Sequence, residues 1–249
     1  MAGRLALSLC WLAMAGCLDP PQSGGAGSDA DAASADAASA LPPGPSEGLI
    51  AYWSMDSLDG GVLREPIGGH DATCIRCPLP ATGHIAGALQ FRGGETNDYL
   101  TVEWPDLALD SGTLSAWIYV DDYTASSIIA RPYLAGENDD EDSFLLGTFS
   151  YGVAFLEYPG GYDESTEIIG LGGWKHVAGT WTPDERIIYV SGTAKSFPGQ
   201  AVIYDDTLIF IGADQDLGAD VFHFAGAIDD LRVYDRALAD FEIGQILSL

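Results

Sequence analysis

The chain has 249 residues, among them 37 Asp or Glu but only 10 Lys or Arg, which gives a formal net charge of −27. Nucleic acids and anionic lipids are bound by clustered Lys and Arg, so this charge balance excludes both as the main ligand. The presence of only four cysteines excludes a small disulfide-dense scaffold, and the chain is long enough to bury an apolar core. The acidic surface suits a soluble protein or one that collects divalent cations.

The N-terminal segment has the pattern of an export signal. Arg4 is followed by an uncharged apolar run that is too short to span a bilayer permanently. The sequence Met14–Cys17 resembles the lipobox of bacterial lipoprotein signal peptides, which implies that residues 1–16 are removed and that Cys17 carries a lipid. We therefore expect an exported protein, anchored by lipid in the bacterial cell envelope, with the outer membrane as the expected membrane. The alternative is an ordinary secretory signal that leaves Cys17 as a spare thiol.

The segment after the predicted lipid site has the composition of a linker. Residues 18–47 are rich in Ala, Ser, Pro and Gly, contain no basic or aromatic residue, and repeat DAASA twice in succession. Such a composition offers too little apolar surface to offset the entropy that is lost on ordering. We therefore interpret residues 17–47 as the lipidated cysteine and a disordered tether, and we place the start of the folded domain at Gly48.

Residues 48–249 consist of short apolar or alternating segments that are separated by Gly, Pro, Asp and Asn. Leu114 and Ile118 share one face of such a segment, while Trp117 lies on the other. Many short strands with turn residues between them predict one all-β domain, an antiparallel sandwich. The predicted strands are Leu49–Met55, Ala86–Phe91, Tyr99–Glu103, Thr113–Val120, Ser127–Ala130, Ser143–Phe149, Val153–Glu157, Trp174–Trp181, Arg186–Ser191, Thr207–Ile211 and Phe222–Tyr234. The stretch 237–249 is predicted to be helical. The residues predicted on its buried face are Leu238, Phe241, Ile243 and Ile246.

Six motifs follow one another through the domain. In chain order they are LIAYWSMD, GHIAGALQFRGGETNDYLTV, TLSAWIY, GGWKHVAGTW, IIYVSG and FAGAIDDLRVYDRALADFEI. In their order and spacing they resemble the bacterial laminin-G-like domains of the concanavalin A-like lectin/glucanase superfamily. The resemblance implies a jelly roll of two antiparallel sheets with a short C-terminal helix. It implies no particular activity, because function depends on sites that are grafted on folds.

Enzymes of this superfamily include glycoside hydrolases, whose retaining members place three acids on one strand as Glu-x-Asp-x-x-Glu. A covalent glycosyl intermediate needs two carboxyl groups about 5–5.5 Å apart. The nearest match, 137–142, has polar residues at every alternate position, so we interpret it as an exposed acidic loop and not as a strand. The acidic run 163–167 fails the same test. The sequence also contains no nucleophile-elbow or His-Glu-x-x-His motif, and we predict no catalytic residue.

The resemblance also implies a structural Ca²⁺ that joins the first strand to the last. When the family's calcium site is matched to this sequence, the carboxylate ligand is Asp229. The main-chain carbonyl ligands then come from the region 53–56 and from Gly93. Asp56 could add a second carboxylate. Ca²⁺ takes six to eight oxygen ligands and accepts main-chain carbonyls among them. The alternative is that Asp229 and Asp230 only cap a strand or pair with Arg232 and Arg236.

Cys74 and Cys77 form the only paired thiol motif after the predicted signal. In an exported protein the expected state of such a pair is a disulfide, which here would close a small ring in a loop. His70 and His84 flank the pair, and four such side chains could instead bind zinc tetrahedrally. We favour the disulfide because of the predicted compartment.

Sugar binding requires aromatic side chains with polar neighbours at a loop rim. Four tyrosines lie in loops rich in Asp, Glu or Gly and are the candidate ligand-binding residues: Tyr123, Tyr133, Tyr158 and Tyr162. Three tryptophans lie within strand patterns and are predicted to pack in the core: Trp117, Trp174 and Trp181.

The leading functional hypothesis is therefore non-catalytic recognition, with carbohydrate as the expected partner. A second hypothesis, from another class, is a scaffold that binds another envelope protein. The third is a diverged glycoside hydrolase. Contact with a membrane is expected through the lipid anchor alone.

Overall fold

A computed structural model describes residues 41–134, 141–158, 161–216 and 218–249. The strands in this part of the chain are β1 (Leu49–Trp53), β2 (Val62–Leu63), β3 (Ala72–Arg76), β4 (Leu79–Thr82), β5 (Gly87–Arg92), β6 (Tyr99–Val102), β7 (Gly112–Val120), β8 (Ser126–Tyr133), β9 (Glu141–Thr148), β10 (Val153–Tyr158), β11 (Gly161–Ile168), β12 (Trp174–Trp181), β13 (Glu185–Val190), β14 (Thr193–Pro198), β15 (Ile209–Ile211), β16 (Asp214–Asp216), β17 (Ala219–Val221) and β18 (Ala225–Tyr234). A 3₁₀ turn spans Gly93–Glu95, and the helix α1 spans Asp240–Leu247. None of the helices in these ranges is long and apolar enough to cross a membrane.

Two antiparallel sheets of eight strands form the sandwich. The first sheet has the order β14-β13-β12-β7-β18-β5-β4, and β1 also pairs with β18. The second has the order β11-β10-β9-β8-β15-β6-β3-β2. Consecutive hairpins form the outer parts of both sheets, whereas the central neighbours, such as β7 and β18 or β8 and β15, are distant in the sequence. This combination is typical of a jelly roll, and the predicted fold class is confirmed.

The core lies between the two sheets and follows from the alternation of apolar residues. Leu114, Ala116 and Ile118 of β7 are completely buried in one apolar cluster together with residues of the second sheet such as Leu146 and Ile209. The intervening residues of β7 point away from this cluster, to the outer face of the first sheet. The period-two pattern in the sequence is therefore sufficient to assign the two faces of this strand.

Helix α1 covers part of the outer face of the first sheet. Leu238, Ile243 and Ile246 are buried there against Tyr189 and Tyr234. Phe241 was predicted on the same face, but it is 68% exposed, so that prediction is wrong. The helix spans only eight residues, and its apolar stripe is too narrow to bury Phe241 as well.

The packed part of the domain begins before Gly48, where the predicted tether was expected to end. The main-chain carbonyl of Pro43 accepts a hydrogen bond from Arg232 at 2.7 Å, and that of Pro45 accepts one from the Tyr234 hydroxyl at 3.0 Å. These bonds satisfy polar groups of β18 and hold this segment on the domain. The predicted signal peptide, Cys17 and most of the tether lie outside the described residues.

The acidic run 163–167 lies in β11, contrary to the prediction that it could not form a strand. Asp163 points inward, but its carboxylate is paired with the buried Arg186 at 2.6 Å. The Ser165 hydroxyl accepts a hydrogen bond from the Ala154 main-chain N–H. Inward polar residues are thus tolerated because each has a partner, while Glu164 faces outward at the sheet edge.

The second acidic run is also only partly a loop. Residues 137–140 lie outside the described residues, whereas Glu141 and Asp142 begin β9 and Asp142 is buried. Its predicted exposure is therefore wrong. Burial raises the pKa of the neighbouring Asp214 to about 7, so the two carboxyl groups need not both carry a charge.

Candidate ligand-binding surface and calcium site

Cys74 and Cys77 form a disulfide at the junction of β3 and β4, as predicted. The two histidines of the zinc alternative are occupied elsewhere. His70 stacks on Trp104 with ring centroids 3.6 Å apart, and His84 stacks on Trp117 at 3.5 Å. Within the described residues, no three His, Cys, Asp or Glu side chains are grouped to hold a metal ion. The four potential zinc ligands are therefore not assembled.

Asp229 lies in β18, opposite Trp117 of β7, and is completely buried. Its Oδ2 accepts a hydrogen bond from the Ile85 N–H at 2.8 Å. Its Oδ1 is buried without a hydrogen-bond partner among the described residues. Burial raises the pKa of this carboxyl to about 7, and the charge of Asp230 adds to the effect. A carboxylate oxygen in this situation requires a proton or a cation.

Asp56 follows β1 and faces the same hairpin as Asp229. Its Oδ1 accepts a hydrogen bond from the Gly87 N–H at 2.7 Å. A Cβ at Gly83 would lie 2.7 Å from the Asp229 Oδ2, and a Cβ at Gly87 would lie 2.9 Å from the Asp56 carbonyl oxygen. The glycines of the β4–β5 hairpin therefore permit close approach to both acids. Two carboxylates, one of them with an orphaned oxygen, and a nearby carbonyl are oxygen donors of the kind that Ca²⁺ accepts.

Gly93, the third predicted ligand, is not part of this arrangement. It begins the 3₁₀ turn after β5, where its N–H donates to the Phe224 carbonyl and its own carbonyl accepts from Asn97. It packs against Ala225, four residues before Asp229 on β18, which corresponds to about 13 Å along a strand. The structure places Gly83 and Gly87 near Asp229 instead. The glycine-bounded turn in the GHIAG motif was the available signal for them.

The predicted alternative of an arginine partner holds for Asp230 but not for Asp229. Asp230, and not Asp229, pairs with Arg232, and both oxygen–nitrogen distances are 2.9 Å. Arg236 pairs with Glu242 of α1 at 2.6 Å. Asp229 is thus left without an arginine partner among the described residues.

The four candidate tyrosines do not form one site. Their predicted place in loops is wrong for the three that belong to strands: Tyr133 in β8, Tyr158 in β10 and Tyr162 in β11. Tyr158 is half-buried and its ring is covered by the Arg186 guanidinium at 3.7 Å, which indicates a packing role. Tyr133 ends β8 opposite Glu141 and is also half-buried. Tyr123 and Tyr162 are exposed, at 39% and 52%. Of the four candidates, these two present the most ring surface to a ligand.

Tyr162 belongs to an exposed aromatic platform, which we define as Phe149, Tyr151 and Tyr162. The Phe149 ring stacks on Tyr151 with centroids 5.5 Å apart and meets the Tyr162 ring edge-on at 5.0 Å. Tyr151 is 55% exposed, and its hydroxyl donates a hydrogen bond to Glu164. Tyr123 lies beside the platform, against Gly152.

Phe149 and Tyr151 were not predicted as members of this surface. Phe149 stood at the end of a predicted strand, and Tyr151 lies in the tight turn before Gly152, which has a φ of 81°. An aromatic-x-aromatic pair at a strand end followed by glycine was the available signal. The pairing with Tyr162 depends on the strand order β9-β10-β11, which the sequence pattern does not specify.

Comparisons with known proteins agree with this architecture. A family model for laminin-G-like domains, described as the concanavalin A-like lectin/glucanases superfamily, matches residues 93–244. No curated protein matches this chain in sequence.

Several solved structures share the fold. Domain 4 of an extracellular GH43 arabinanase from Geobacillus stearothermophilus, in complex with arabinotriose, has a TM-score of 0.61 at 17% identity, covering 82% of this chain and 100% of that one. A Trypanosoma rangeli sialidase in complex with sialic acid has a TM-score of 0.60 at 19% identity, covering 82% of this chain. The chain spans only 33% of that sialidase. The binding domain of Paraclostridial Mosquitocidal Protein 1 matches at 11% identity with a TM-score of 0.60, covering 80% of this chain and 52% of that one.

Proposed function

Because the chain belongs to the concanavalin A-like lectin/glucanases superfamily, we propose that it is a non-catalytic recognition protein that binds carbohydrate. The observation that carries the proposal is the exposed aromatic platform. Aromatic rings offer apolar faces to the C–H faces of a sugar, and the hydroxyls of Tyr151 and Tyr162 and the carboxylate of Glu164 offer hydrogen bonds beside them. The arabinanase domain, which this chain matches over its whole length, is in complex with arabinotriose, which supports the same class of ligand.

The placement of the acids favours binding over hydrolysis. A retaining hydrolase needs two accessible carboxyl groups about 5–5.5 Å apart. Asp142 and Asp214 are neighbours, but both are buried, and Asp163 is neutralised by Arg186. Glu164 is half-exposed beside the platform but is held by the Tyr151 hydroxyl. We therefore assign these four acids to structure and ligand contact.

We further propose that Asp229 and Asp56 hold a structural Ca²⁺ between β18 and the end of β1. The ion would neutralise a buried carboxylate and would supply the missing partner of its Oδ1. The remaining ligands would be main-chain carbonyls, such as that of Asp56. The protein would reach its ligand as an exported lipoprotein that is anchored through Cys17.

The experiment that tests the proposed function is a glycan-array screen of the full chain, purified in detergent, with and without EDTA. We expect specific binding that is lost in Tyr162→Ala and weakened in Tyr151→Ala. Phe241→Ala, which removes an equally exposed aromatic ring from α1, is the matched control and should bind as the wild type does. Loss in the control as well, or binding that survives both platform variants, would contradict the platform. A blank array with folded protein would favour an envelope protein as the partner.

A further inference from the structure

A row of paired residues crosses the outer face of the first sheet, away from the platform. Trp174 of β12 is the cross-strand partner of Tyr119 on β7, and Tyr119 is the partner of Ala227 on β18. Ala227 is in turn the partner of Gln90 on β5. Directly paired residues of antiparallel strands point to the same face, so all four side chains share this surface.

The small member of this row creates a groove. The methyl group of Ala227 lies between the aromatic side chains of β7 and β12 and the amide side chain of Gln90. The space above it has a volume of about 290 Å³. The residues that line it are Ala81, Thr82, Gln90, Tyr119, Trp174 and Ala227. A volume near 300 Å³ is at the lower end of the range for small-molecule sites and suits one or two sugar rings.

The aromatic wall of the groove is only partly covered. Tyr119 and Trp174 are both half-buried, and their rings meet edge-on with centroids 5.8 Å apart. Trp174 was predicted to pack in the core, and its position on the outer face corrects that prediction. The exposed His84, stacked on Trp117, lies 6.5 Å from the Trp174 ring. The wall therefore consists of two rings that pack against each other, with His84 on the Trp174 side.

The lining of the groove carries no formal charge, although the protein as a whole carries −27. The Gln90 amide nitrogen donates to Asp121 at 2.6 Å, which orients the amide and leaves its oxygen as an acceptor for a ligand. Thr82, Tyr119 and Trp174 add hydroxyl and indole N–H groups. Aromatic rings with a few neutral donors and acceptors match an uncharged polyhydroxylated ligand.

We infer that this groove is a second carbohydrate site, which binds one or two neutral sugar residues. Its ligand class rests on the proposed function, but its position does not, because the platform belongs to the second sheet. A domain with sites on different sheets can hold two glycan segments at once, which raises avidity without any new contact.

The test is an NMR titration of the ¹⁵N-labelled full chain in detergent, in which the Trp174 indole N–H is identified with Trp174→Phe. The probes are the neutral trisaccharides arabinotriose, xylotriose, cellotriose and chitotriose, with sialic acid as the charged probe. We expect at least one neutral trisaccharide, and not sialic acid, to shift the Trp174 signal. Ala227→Leu, which fills the groove, should weaken this binding at least about tenfold. Ala194→Leu, on exposed β14 of the same sheet, is the matched control.

Gln90→Ala is the second groove variant, since removal of a half-exposed amide leaves the packed face of β5 unchanged. It should also weaken binding about tenfold, and Tyr162→Ala should leave the Trp174 shift unchanged. If no neutral sugar moves the Trp174 signal, or if both groove variants bind as the wild type does, the inference is wrong. If array binding is lost only in Tyr162→Ala, the proposed function stands and the groove is refuted. If it is lost only in the groove variants, the groove stands and the platform fails.

Discussion

His176 provides a test of how the buried outer face of the first sheet responds to pH. The side chain is completely buried on β12, where its Nε2 lies 2.8 Å from the Ser115 hydroxyl and its ring meets Trp117 edge-on. Burial lowers the pKa of His176 to about 3, and the charge of Arg232 acts in the same direction. The imidazole is therefore neutral in the folded protein at all ordinary pH values.

The sign of the effect follows from linkage. The unfolded chain binds a proton at this histidine near pH 6.5, whereas the folded chain does not until about pH 3. The contribution to stability is fully present above pH 6.5 and is lost as the pH falls from 6.5 towards 3. At pH 5 the loss is about 2 kcal/mol, which is the free energy that the unfolded state gains by binding the proton.

The assay is the free energy of unfolding in urea at pH 7 and pH 5, measured for the wild type and for His176→Gln. Burial raises the pKa of Asp214 and of Asp229 to about 7. The folded state therefore binds protons at these two carboxyl groups as the pH falls from 7 to 5, which stabilises both proteins and opposes the loss that comes from His176. The difference between the two proteins isolates the histidine, and the wild type should lose about 2 kcal/mol more than the variant. Ser115→Ala removes the hydrogen bond but keeps the titration, and should retain the steep dependence. Equal pH dependence in the wild type and in His176→Gln would refute this account of the burial.

Three further changes test other parts of the structure. If Asp229 is a calcium ligand, EDTA should lower the Tm of the wild type but not that of Asp229→Asn, and an equal drop in both would remove Asp229 from the site. Asp163→Asn leaves the buried Arg186 without its counter-charge and should lower the free energy of unfolding in urea by about 3 kcal/mol. A decrease below about 1 kcal/mol would show that water replaces the carboxylate. Replacing Cys74 and Cys77 by serine should lower the free energy of unfolding by about 2 kcal/mol, a modest amount because the ring that the disulfide closes is small. An unchanged urea midpoint would show that the loop is ordered by its other contacts.

Much of the fold could be predicted because the period of apolar residues is local information. The alternation in 113–120 assigns the buried and outward faces of β7, and the glycine and asparagine turns bound the other apolar strands. Some of the strands that escaped prediction, such as β11 and β16, have few apolar residues. In β11 the inward positions are occupied by Asp163 and Ser165, which are tolerated because Arg186 and a main-chain N–H satisfy them. Partners from distant segments do not appear in a local pattern.

The candidate sites divide in the same way. The sequence by itself determined that the chain is acidic, that it forms a sandwich, and that Cys74 and Cys77 can be bridged. Only the tertiary structure joined Tyr162 to Phe149 and Tyr151, replaced Gly93 by the hairpin glycines near Asp229, and placed Trp174 on the outer face. The alternation of a strand predicts that successive residues differ in burial, but it does not predict which neighbouring element covers the side chains that point outward. On this sheet α1 covers one part of the outer face, and the small Ala227 leaves a groove in another.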